Sequence, residues 1–99
     1  MDDLRISLER PSELRLAGDL DISTIADAAA AFDAIKGSLR LDLSELDFID
    51  SMGIALLAKR LRISPLVLVH APPRLHRMLR LAGLTVGETG ELSFEDGAA

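Results

Sequence analysis

The 99-residue chain has no cysteine, no tryptophan and no tyrosine, and only three phenylalanines. Without thiols it forms no disulfide, no thiolate metal site and no thiol nucleophile, a usage that fits a cytoplasmic protein. With so few aromatics, its core has to be built from Leu, Ile, Val and Ala; hydrophobic residues make up 48% of the chain. Eleven basic against 16 acidic side chains give a net charge of −5, which disfavours nucleic acid and anionic membrane surfaces as partners. No apolar run approaches the roughly 20 residues that cross a bilayer, so no direct membrane insertion is expected. Met1-Asp2-Asp3 is acidic where a secretory leader needs a basic start. A chain of this size buries roughly 65% of its unfolded surface, enough for one core. The expectation is a single domain over residues 1–99, with 95–99 as a frayed tail.

What the chain does have is alternation. Leu4, Ile6 and Leu8 alternate with Arg5, Ser7 and Glu9, and Leu14 and Leu16 with Glu13 and Arg15. Period two predicts two strands, joined as an antiparallel hairpin by Arg10-Pro11-Ser12. Gly18-Asp19-Leu20-Asp21 closes the second strand, with Gly for the bend and the carboxylates for local backbone N–H groups. Ile22, Ile25, Ala26, Ala29, Phe32 and Ile35 form one apolar stripe, predicting a helix over 22–36 with Asp21 or Ser23 at its start and Gly37 past its end.

The chain is organised around residues 39–57. Leu39, Leu41 and Leu43 alternate with Arg40, Asp42 and Ser44 as a strand; Ile54, Leu57, Ala58 and Leu61 then recur at helical spacing, with Lys59, Arg60 and Arg62 on other faces. The second helix is expected to stop near Arg62, before Ile63-Ser64-Pro65. Asp50-Ser51-Met52-Gly53 forms the switch between strand and helix. A hydroxyl there stands at a helix N-terminus, where free N–H groups and the positive dipole end favour an anion such as phosphate. Downstream, Leu66–Val69 reads as a strand covered on both faces. Leu75, Met78, Leu79 and Ala82 make the buried face of a third helix, with Arg74, Arg77 and Arg80 on its exposed side. Leu92-Ser93-Phe94 is a weak last strand. The order β-β-α-β-α-β-α-β predicts an α/β domain with a mixed, largely parallel sheet of four to five strands and helices packed on it. Asp50 and Ser51 then lie at the carboxyl end of a strand, where functional groups gather in such sheets.

Each candidate has a plainer reading. Ser51 and Asp50 suit an N-cap, and the cap and acceptor roles are compatible. Turn bonding explains Asp19 and Asp21 better than a metal pair does, and no metal or other cofactor is expected. His70 and His76 make no convincing triad with Ser51, because a nucleophile elbow needs Gly where Ile49 stands. The arginine row reads as a solvated face before it reads as a phosphate or nucleic-acid site. A response-regulator reading fails because Glu9-Arg10 belongs to a hairpin instead of an acidic cluster. The role of Asp42, on the strand face opposite Leu41 and Leu43, stays open.

Gly18-Asp19-Leu20-Asp21, Leu41-Asp42-Leu43-Ser44, Phe48-Ile49-Asp50-Ser51-Met52-Gly53 and Leu79-Arg80-Leu81-Ala82-Gly83-Leu84 together resemble the STAS domain of bacterial anti-anti-sigma factors. The resemblance runs over nearly the whole chain in order. It implies a non-enzymatic anti-sigma factor antagonist. Its partner would be an anti-sigma factor that is also a serine kinase; phosphorylation at Ser51 would end the binding and a phosphatase restore it. The matching implies a partner-binding set of Asp19, Asp21, Ser23, Asp50, Ser51, Met52 and Gly53, with the exposed side of the helix from Met52 to Arg62 beside it. Met52 stands where the family often has a second Ser, the link into Leu66 is short and lacks the usual Gly, and the usual closing helix has no room after Phe94. A homodimer or a partner is one way to cover the surface this leaves. The alternatives are a non-phosphorylated STAS accessory subunit of a lipid-transport ABC complex and a small ligand-binding domain of a signalling assembly.

Overall fold

The computed structural model of the chain describes residues 3–95. In order, its elements are β1 (Leu4–Arg10), β2 (Glu13–Leu20), α1 (Ile25–Asp33), β3 (Leu39–Ile49), α2 (Ser51–Leu61), β4 (Leu66–Val69), α3 (Pro73–Leu81), β5 (Leu84–Val86) and β6 (Leu92–Phe94). The main sheet has the order β1-β2-β3-β4. β1 and β2 are antiparallel, whereas β2–β3 and β3–β4 are parallel, so the sheet is the mixed one expected. β5 and β6 form a separate antiparallel pair. β5 is additional to the predicted order, since three residues directly after Gly83 are too few for alternation to show.

Register sorts the side chains. Leu14, Leu41 and Leu68 lie in one row across β2, β3 and β4, and Arg15, Asp42 and Val69 in the next. The leucine face meets Ala28 and Phe32 of α1, Ile54 and Leu57 of α2, and Leu75 and Leu79 of α3 in a single core. Each leucine fully buried there contributes about 1.5–3 kcal/mol. On β4 only Leu66 and Leu68 are buried and Val67 and Val69 half-buried, so that strand is covered on one face, not both. No helix among the described residues is long and apolar enough to cross a membrane.

Helix α1 is shorter than its stripe. Asp21–Thr24 forms a turn, which leaves Ile22 70% exposed and Ala26 outside the core, while Ala28 and Phe32 are buried. α2 ends at Leu61 with Arg62 at its C-cap, as expected, but Arg60 is buried, not on an outer face. Its guanidinium donates to the carbonyls of Phe32, Ile35 (2.9 Å) and Gly37 (2.7 Å). The cation meets carbonyls at and just past the C-terminal end of α1, where the helix dipole is negative.

Strand β3 carries two irregularities that aim its end. Arg15 pairs with Asp42 but Ala17 with Glu45, and Gly18 pairs with Leu46 but Asp19 with Phe48. Each step gives β3 one residue more than β2, the mark of a bulge. At the first, Asp42 Oδ1 accepts from the Ser44 N–H at 2.9 Å and Oδ2 lies 3.4 Å from Arg15 Nε. Burial opposes its ionisation, but the Ser44 N–H and Arg15 outweigh it and hold the carboxyl below its ordinary 3.8. At the second, the Asp47 carbonyl accepts from Arg74 Nη2 at 2.7 Å, so Arg74 braces the bulge while Arg77 and Arg80 stay exposed. Glu95 is the last described residue of the predicted tail, and its N–H donates to the Gly83 carbonyl at 2.8 Å; residues 96–99 lie outside the described residues.

Candidate functional site

The parallel ends of β2 and β3 are held together as far as Asp50, whose N–H donates to the Leu20 carbonyl at 3.2 Å. There the chain turns into α2. Asp50 is extended, with φ −106° and ψ −175°, and is the N-cap: Oδ1 accepts from the Gly53 N–H at 2.9 Å, and its carbonyl accepts from the Ile54 N–H at 3.0 Å. The other oxygen, Oδ2, accepts from the Ile22 N–H at 3.1 Å. One carboxylate therefore starts the helix and also ties it to the loop after β2.

Gly53 is needed for closeness. A Cβ at that position would stand 2.6 Å from Ile49 Cγ1 and 2.8 Å from the Leu20 carbonyl oxygen. The helix start is pressed onto the ends of both strands, and no side chain fits between. Gly18 opens the facing loop: at φ +106° its Cβ would meet the Asp3 carbonyl at 2.2 Å.

Ser51 is the first residue of α2, not its N-cap. It is exposed, and its hydroxyl has no hydrogen-bond partner among the described residues. The nearby Asp21 carboxylate accepts from both the N–H (2.9 Å) and the hydroxyl (2.6 Å) of Ser23, and the hydroxyl above all holds it below its ordinary 3.8. Thr24 completes the turn, accepting from the Asp21 N–H at 3.0 Å and donating to the Asp19 carbonyl at 2.9 Å. Asp19 is the register partner of Phe48, two residues before Asp50.

The structure thus brings Asp19, Asp21, Ser23, Asp50, Ser51, Met52 and Gly53 to one end of the sheet. Gly53 is buried and serves packing. Ile22 and Met52 are exposed apolar side chains at this end, and Phe48, also exposed, lies on a separate groove with Pro72, Arg74 and Met78. Ser51 also stands on the rim of an open groove of about 280 Å³ with Ile54, Ala55, Ala58, Ala82 and Leu84. Motif reasoning missed Ile22 and Phe48: Ile22 fits a helical stripe, and Phe48 follows a bulge that alternation does not reveal. Ala82 and Leu84 reach the groove from the end of α3, which no local pattern announces. On the opposite row, His70 Nδ1 lies 3.7 Å from Asp42 Oδ1.

A sequence model of the family described as "Mlab, STAS domain" matches residues 6–92. The chain therefore belongs to the STAS domain family. Among solved structures it is similar to the anti-sigma factor antagonist SpoIIAA in its unphosphorylated form, with a TM-score of 0.62 and 16% identity over 79% of this chain and 82% of that one. It is equally similar to the Bacillus cell fate determinant SpoIIAA in the phosphorylated form, with a TM-score of 0.61 and 16% identity over 81% of this chain and 83% of that one. These likenesses establish a shared fold. No curated protein matches the chain by sequence.

Proposed function

We propose that this STAS domain protein is an anti-sigma factor antagonist, a non-enzymatic cytoplasmic switch. It binds an anti-sigma factor that doubles as a serine kinase, loses that partner on phosphorylation at Ser51, and regains it through a phosphatase. The observation that carries the reading is an exposed hydroxyl with no hydrogen-bond partner among the described residues, at the first position of α2, beside a carboxylate already engaged inside the fold. The fold is shared with a protein solved in both unphosphorylated and phosphorylated forms.

The energetics suit a switch. Phosphoserine carries about −1.5 to −2 charges at neutral pH. A helix N-terminus favours such a charge by about 0.3–1 kcal/mol, so the fold tolerates it. Burying a mismatched charge against a docked partner costs about 2–5 kcal/mol, or roughly 30-fold to a few thousand-fold in affinity. The test is a pull-down with wild type, Ser51→Ala and Ser51→Asp, with mass spectrometry of the Ser51 peptide after incubation with the captured partner and ATP. The reading requires a histidine-kinase-like ATPase in the wild-type capture, its loss with Ser51→Asp, and phosphate on Ser51. Capture of an ATPase and permease whatever residue stands at 51 would replace it with the second reading, the constitutive subunit of a lipid-transport ABC complex. Exposed Ile22, Phe48 and Met52 favour that second reading, because they would dock a partner irrespective of the charge at 51.

A further inference from the structure

The main sheet has two edges, and they are treated differently. Along β4, the Leu68 N–H donates to the Gly90 carbonyl at 2.8 Å and Val67 bridges to Glu91, so the β5–β6 segment lies against that edge. Along β1, no described strand pairs with the outer edge. An uncovered edge is a template for another strand.

The side chains of β1 narrow the choice of that strand. Arg5, Ser7 and Glu9 share one face: Ser7 Oγ donates to Glu9 Oε2 at 2.7 Å, and Glu9 Oε1 lies 3.5 Å from Arg15 Nη2. Along this row the charges run positive, neutral, negative. A second copy laid antiparallel about Ser7 sets Arg5 opposite Glu9 and Glu9 opposite Arg5. On the other face it sets Ile6 opposite Leu8, which is 62% exposed in the single chain. In-register parallel pairing would instead stack Arg5 on Arg5 and Glu9 on Glu9. Cross-strand opposite charges and apolar pairs favour the antiparallel arrangement, and its two-fold axis makes it a closed dimer. The bulge at Glu9 against β2 twists the strand end, so the pairing covers Arg5 to Glu9 and stops there.

We propose that β1 is a homodimerisation edge on which two copies of this chain pair antiparallel about Ser7, joining two four-stranded sheets into one. Leu4 pairs with Gly18 at the Ser51 end and Arg10 with Glu13 at the far end. The two-fold therefore sends the two Ser51 tips to opposite ends of the dimer, where both stay accessible.

Sedimentation velocity on the full chain over a wide concentration range tests this. A weak, concentration-dependent dimer is expected, as suits a small edge interface. Arg5→Glu and Glu9→Arg each place like charges opposite one another twice, and each is expected to weaken the dimer by about tenfold or more. Mixed together the two variants are complementary, and a heterodimer forms. Because the chain has no cysteine, Ser7→Cys supplies an independent readout: mild oxidation yields a disulfide dimer, whereas Ser93→Cys does not. Circular dichroism confirms that each variant is folded. A wild type that stays monomeric at every concentration, with Ser7→Cys cross-linking no better than Ser93→Cys, overturns the proposal. So does a dimer indifferent to Arg5→Glu.

Discussion

The two ends of α2 are built on opposite plans. At the C-terminal end Arg60 is buried, and its guanidinium is tied to the carbonyls of Phe32, Ile35 and Gly37, with Ser64 accepting from Nε at 3.2 Å. At the N-terminal end the Asp50 carboxylate does the internal bonding, and the neighbouring Ser51 hydroxyl is left to solvent. A helix nailed down at one end and capped by a separate residue at the other can change charge at its first position without coming loose. Stability rests on the groups that are used up, and the proposed switch on the one that is not.

The comparison breaks first at Arg60. In Arg60→Met the Ile35 carbonyl loses its donor, while the Phe32 carbonyl keeps the Ile35 N–H and the Gly37 carbonyl keeps the Ser64 hydroxyl; one orphan at about 1–3 kcal/mol predicts a loss of about 2 kcal/mol in urea unfolding. A loss below about 1 kcal/mol would show that water replaces the guanidinium and that this end is not the anchor. Gly53→Ala comes next. The new Cβ has to push aside Ile49 and the Leu20 carbonyl, which costs about 1–3 kcal/mol and displaces the start of α2. A drop in thermal midpoint together with weaker partner binding is the expected pair of results.

Asp42 sharpens the comparison from the sheet below. Its pKa is lower folded than unfolded, so the stability it contributes is present above the ordinary 3.8 and is lost as the pH falls through the folded value. Asp42→Asn is expected to cost about 1–2 kcal/mol at neutral pH and to flatten the acid limb of a stability–pH curve. An unchanged acid limb would mean that the bulge holds without the carboxylate. Asp50→Ala removes a cap worth about 1 kcal/mol and also frees Ile22. Faster amide exchange at Gly53 and Ile22 together, with Asp50→Asn protecting only one of the two because its amide offers a single acceptor oxygen, distinguishes the two-loop clasp from a simple cap.

Much of this was legible in the sequence, unevenly. The strands Leu4–Leu8 and Leu39–Leu43 declare themselves by clean alternation, although Leu8 on the apolar row is exposed and Asp42 on the polar row is buried. The tip is legible because Asp-Ser-x-Gly between a strand and an apolar helix leaves few geometries. What escaped depends on contacts distant in the chain. Arg60 looks like a surface arginine until α1 brings its carbonyls alongside. Asp42 looks idle until the bulge exposes the Ser44 N–H. Ile22 fits a helical stripe, but the Asp21–Thr24 turn delays the helix and the Asp50 carboxylate holds its N–H. Arg74 reads as solvated because the carbonyl it braces, at Asp47, belongs to a bulge that periodicity does not encode.

The smallest effect on stability is expected where the largest effect on binding is proposed. Ser51 makes no internal hydrogen bond among the described residues and is not the cap, so Ser51→Ala should alter unfolding free energy by no more than about 0.5 kcal/mol. Ser51→Asp adds charge at the positive end of the helix and should stabilise by about 0.3–1 kcal/mol, less in high salt. If partner capture falls with Ser51→Asp while the thermal midpoint holds or rises, the charge acts on docking alone. A falling midpoint would place the Asp50 carboxylate close enough to repel it, and the N-terminal end of α2 would then be part of the fold's support after all.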